Sequence, residues 1–75
     1  MKDKLSPLQR KVLTMLENGG ELGVINFEFP KHYVLSYRKR ISELRALGYN
    51  IETHRAKGMR GINFYRLVPE EEKNE

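Results

Sequence analysis

The chain has 75 residues and no cysteine, so it forms one small domain without disulfides, too short for a two-domain enzyme with an active-site cleft. Apolar residues make up 39% of it, which supports one modest core and leaves little volume for a large ligand cavity. Fourteen Lys and Arg against ten Asp and Glu give a net charge of +4, and no run approaches the ~20 apolar residues of a membrane span.

The charge is unevenly spread. Residues 1–30 are balanced, residues 31–66 carry nine basic against two acidic side chains, and residues 67–75 carry four Glu against one Lys. A basic block of this kind suits a polyanion, most simply nucleic acid; a solvated basic surface is the plainer alternative. The opening Met1-Lys2-Asp3-Lys4-Leu5 lacks the apolar core of a signal peptide, so a cytoplasmic protein with no membrane association is expected.

In chain order, Ser6-Pro7-Leu8-Gln9 is a helix start with three signals: a Ser cap, Pro at the first helical position, and Gln three residues after the cap. Leu8, Val12, Met15 and Leu16 recur at helical spacing until Asn18-Gly19-Gly20, which predicts a helix over residues 7–18. Residues 21–30 favour an extended segment, because Ile25-Asn26-Phe27-Glu28-Phe29 alternates with period two between Gly23 and Pro30. Ile25, Phe27 and Phe29 are then core residues, and if exposed would offer a patch or pairing edge to a protein partner, including a second copy.

From Lys31 the helical period returns. Tyr33, Tyr37, Ile41, Leu44 and Gly48 share one face, and Gly48 is a C-terminal stop. Leu35, Lys39, Ser42, Glu43 and Ala46 fall on the opposite side, with Ser36, Arg38 and Arg45 on its flanks. Residues 49–55 and 62–67 are β-rich runs joined by six residues, and they predict a hairpin pairing Ile51 with Leu67, Thr53 with Tyr65, and Glu52 with Arg66. His54 and Phe64 then share its outer face. Lys57 and Arg60 sit at the tip, with Arg55 close behind. Residues 70–75 have nothing to bury and read as an acidic disordered tail after a domain of residues 1–69.

An N-terminal helix, a basic helix ending in Gly and a hairpin with a basic tip together resemble the winged helix-turn-helix family of DNA-binding domains. The likeness is closest over residues 37–67, where Arg40-Ile41-Ser42-Glu43-Leu44-Arg45-Ala46-Leu47-Gly48-Tyr49-Asn50-Ile51, followed by Tyr65-Arg66-Leu67, is similar to the recognition-helix-to-wing junction of small bacterial and phage-encoded members. The resemblance implies an α+β fold and binding to double-stranded DNA in transcriptional regulation, with a helix in the major groove and a wing on the backbone or minor groove. Ser36, Arg38, Lys39 and Ser42 are then candidates for base edges, Lys31, Arg40 and Arg45 for phosphates, and Arg55, Lys57 and Arg60 for the wing contact. For Arg40, close to the core stripe, a structural bond is an equal alternative.

The chain departs from the family in one place. A second helix belongs where residues 23–30 lie, so either that helix is short, with Val34 in the turn before a helix starting near Leu35, or a strand replaces it and the long helix starts near Lys31. A single module buries only about 600–1,000 Å² on DNA, which points to a homodimer or a protein partner alongside. Other uses of the same surface are a recombination or architectural factor, or an adaptor that binds an acidic protein surface. Two histidines without cysteines or clustered carboxylates leave no expectation of a metal or other cofactor, and no nucleophile is paired with a base, so the chain reads as a non-enzyme.

Overall fold

The computed structural model describes residues 4–69, so the acidic tail lies outside the described residues. Among those residues the chain is an α+β fold of three helices and one three-stranded antiparallel sheet. In chain order these are α1 (Pro7–Gly19), β1 (Val24–Ile25), α2 (Glu28–Lys31), α3 (Tyr37–Ala46), β2 (Ile51–Arg55) and β3 (Asn63–Leu67), and the strand order in the sheet is β1-β3-β2.

The start of α1 follows from its local chemistry. The Ser6 hydroxyl accepts from the Gln9 amide at 3.2 Å and the Gln9 side chain accepts from the Ser6 amide at 3.0 Å, closing a capping box around Pro7. Val12 and Leu16 then bury one stripe of α1 against Phe29, Val34, Ile41, Leu44, Ile51 and Tyr65. Phe29 and Tyr37 stack at 5.1 Å between ring centroids, and Tyr65 meets both rings edge-on, which locks α2, α3 and β3 at the centre.

Residues 21–36 depart from the alternation that predicts one extended segment. β1 is two residues long and Val24 faces inward, so the inward register falls on Val24 and Asn26; Ile25 is half-buried and Phe27 is 53% exposed. The chain then turns into the single turn of α2, which buries Phe29. Gly23 makes the entry to β1 possible. Its φ is +83°, and a Cβ there would lie 2.7 Å from the Tyr65 carbonyl oxygen.

The basic helix is shorter than its apolar spacing predicts. Tyr33 is not on its buried face: it lies before the helix, 86% exposed, with φ +66°. The hydrogen bonds explain why. The Tyr33 amide donates to Pro30 O and the Val34 amide to Phe29 O, each at 2.9 Å, which is the Schellman ending of α2 with Tyr33 at the left-handed position. α3 ends in the same way, with the Gly48 amide donating to Arg45 O and the Tyr49 amide to Leu44 O, and Gly48 at φ +108°. A left-handed residue other than glycine costs about 1–3 kcal/mol. The exposed contact between the Tyr33 ring and Lys11 Nζ, 5.9 Å from its centroid, returns only about 0.5–1 kcal/mol.

The hairpin has the register expected from its sequence: Ile51 opposite Leu67, Glu52 opposite Arg66, Thr53 opposite Tyr65 and His54 opposite Phe64. Its strands begin at Ile51 and Asn63, slightly inside the β-rich runs, and the turn is closed by Ala56 donating to Ile62 O at 2.9 Å. Asn26 secures the base of this turn from the other side. Its amide donates to Asn63 O, its Oδ1 accepts from the Asn63 amide at 3.1 Å, and its Nδ2 donates to Gly61 O at 3.1 Å, so a side chain extends the sheet where β1 has ended.

Candidate nucleic-acid interface

Burying Tyr37, Ile41 and Leu44 against the core leaves the opposite face of α3 in solvent, with Leu35, Lys39, Ser42 and Ala46 exposed along it. Two flanks border this stripe. One faces the hairpin and carries Arg38 and Arg45, and the other is joined to α1 through the Gln9–Glu43 hydrogen bond at 2.8 Å.

The ten residues singled out from the sequence divide by what they already bind. Ser36, Arg38, Lys39 and Ser42 are exposed, as are Arg55, Lys57 and Arg60 at the end of the hairpin. The Ser36 hydroxyl does not cap α3, which leaves it available to a ligand. The Arg38 guanidinium sits 5.9 Å from the Tyr37 ring centroid, and the Tyr37 hydroxyl, supported by Tyr65, holds it more firmly protonated than an ordinary arginine. Lys31 is exposed on α2 with its ammonium 4.0 Å from Glu28, away from the α3 stripe in sequence.

Arg40 and Arg45 are engaged in the fold. Arg40 Nη2 donates to Glu43 Oε2 at 3.0 Å; its buried Nε lies 2.9 Å from Oε1 but out of line for a hydrogen bond, so that pairing is coulombic. Arg40 thus makes a structural bond to a carboxylate, the alternative to a phosphate contact. Arg45 donates to Ile51 O through both Nε and Nη2, at 2.9 and 2.6 Å, and to Thr53 Oγ1 at 2.8 Å, tying the end of α3 to β2. Its charge still lies beside the stripe, but its geometry is set by the hairpin.

Two carboxylates are tuned by this network. The Gln9 amide, and after it Arg40, holds the Glu43 carboxyl below the usual carboxylate range against the opposing effect of desolvation. His54, followed by Arg66, does the same for Glu52, with His54 Nε2 2.8 Å from Glu52 Oε1 and Arg66 Nη1 3.4 Å from it. Among the described residues no cluster of three His, Asp or Glu is arranged to hold a metal ion, and no helix is long and apolar enough to cross a membrane.

Sequence reasoning passed over three residues that shape this surface. Asn26 holds the turn from which Lys57 and Arg60 project, yet it occupies what the alternation marks as an outward polar position. Gln9 reads as a capping residue alone, although its Nε2 also fixes α3. Lys11, in a charge-balanced segment, meets Tyr33, whose spacing mimics a core position. On the outer face of the sheet, Leu22, 88% exposed, borders an open groove of about 480 Å³ with Glu21, His54 and Phe64.

No family model, curated protein or solved structure matches the chain.

Proposed function

We propose that the chain is a winged helix-turn-helix domain that binds duplex DNA, most simply as a transcriptional regulator. The exposed face of α3 enters the major groove and the β2–β3 tip meets the adjacent backbone or minor groove. The order α1-β1-α2-α3-β2-β3 supports this reading, with α2 as a short second helix and residues 32–36 as the turn before the recognition helix. The observation that carries it is the pairing of two exposed basic groups on neighbouring elements: Arg38 and Lys39 on α3, and Arg55, Lys57 and Arg60 on the hairpin. Arg45 couples the two by bonding α3 to β2. Ser36, Arg38, Lys39 and Ser42 have the donor or acceptor character to address base edges, while the hairpin cations address phosphates.

Fluorescence anisotropy against a random-sequence duplex over a series of salt concentrations tests the reading. Log affinity is expected to fall steeply with log salt, and replacing Lys57 and Arg60 together by alanine should reduce the slope by about two. An affinity too weak to detect at low salt defeats it.

A further inference from the structure

Resting on the DNA-binding reading above, we infer that Tyr33 and Lys11 form a further backbone-binding site, gripping a phosphate of the duplex beside the entry to α3. The first observation is internal to the molecule. α2 and α3 close with the same pair of hydrogen bonds, and where α3 has Gly48 at the left-handed position, α2 has Tyr33. Glycine is the residue that this position accommodates without steric cost. Tyr33 gains no burial in return, being 86% exposed, and the apolar lock of the turn is made by Val34 and Phe29, both fully buried. The fold therefore does not call for a tyrosine here.

The second observation is what surrounds it. Lys11 Nζ lies 5.9 Å from the Tyr33 ring centroid, so a cation and a phenol stand together at the surface. Tyr33 stands in the turn that leads into α3, four residues before its first residue Tyr37, so the pair lies at the N-terminal end of that helix. A helix lying in the major groove has a sugar-phosphate backbone on each side of it. The hairpin cations address one stretch of that backbone; Lys11 as the charge and the Tyr33 hydroxyl as a donor address another, at the start of α3.

The test uses the full chain and two variants, Tyr33→Gly and Lys11→Ala, with thermal unfolding and duplex anisotropy over a salt series. Tyr33→Gly is expected to unfold at a temperature no lower than the parent, yet to bind the duplex more weakly by roughly tenfold or more, as the loss of a hydrogen bond to a charged group implies. Lys11→Ala should lower the salt slope by about one. If the parent binds duplex and both variants match its affinity and slope, the site is overturned while the DNA reading stands, and Tyr33 with the exposed Leu35 becomes a candidate protein contact. A lower unfolding temperature for Tyr33→Gly also overturns it, because the tyrosine would then serve the fold. A parent that binds no duplex defeats the DNA reading and this site together.

Discussion

Glu43 joins two helices at one side chain. It receives Gln9 from α1 and Arg40 from its own helix, and its carboxyl is held below the usual range by those partners, Gln9 foremost. A carboxylate whose folded pKa is depressed adds stability above its unfolded value of about 4.3 and loses it as pH falls through the lower folded value. Thermal unfolding across this acid range should show Glu43→Gln less stable than the parent at neutral pH, with the difference closing on acidification. A gap that stays constant with pH would mean that the charge of Glu43 contributes nothing. Gly23 gives a second expectation at this scale. Alanine there meets both a positive φ and the Tyr65 carbonyl, so Gly23→Ala should cost at least about 1–3 kcal/mol in denaturant unfolding, whereas Gly58, with open space around its Cβ position, should tolerate alanine better despite its φ of +76°.

At the level of elements, the hairpin is held in place by side chains rather than by a long third strand. β1 supplies only Val24 and Ile25, and Asn26 continues the pairing with its own amide group. Asn26→Ala removes two hydrogen bonds, to the half-buried Asn63 amide and to the Gly61 carbonyl, at a combined cost of about 1–3 kcal/mol. Hydrogen exchange at Asn63 should quicken more than at Glu52; equal acceleration would place the loss in the whole sheet instead. The same elements explain what the sequence made legible. The capping box of α1 and the register of the hairpin rest on contacts that are local or repeat over several residues, and both form as expected from the residues alone. Residues 21–36 did not yield, because a two-residue strand and a one-turn helix are each too short to display a period, and because the inward position after Val24 is a polar Asn26. In the candidate site, the exposed cations were readable from charge and spacing. The engagement of Arg40 by Glu43, and the fixing of Glu43 by Gln9 from far earlier in the chain, required the tertiary structure.

Across the described residues, the helices and the sheet enclose one core, and α3 keeps a basic outer face in solvent. Its stripe is short, about three turns, and a small module of this kind offers limited contact to DNA, so affinity in the proposed role rests on adding the hairpin cations to the helix. The coupling of the two through Arg45 makes their relative orientation a property of the fold. Arg45→Met, which keeps the stem and removes both bonds to Ile51 O, should therefore weaken duplex binding more than the loss of one phosphate contact, with a change in salt slope of no more than about one. The most direct measurement is a backbone amide chemical-shift titration of the chain with a short duplex. The largest changes are expected together on residues 36–46 and 55–61; changes confined to Leu22, His54 and Phe64 on the outer sheet face, or none at all, would contradict duplex binding through α3 and the hairpin.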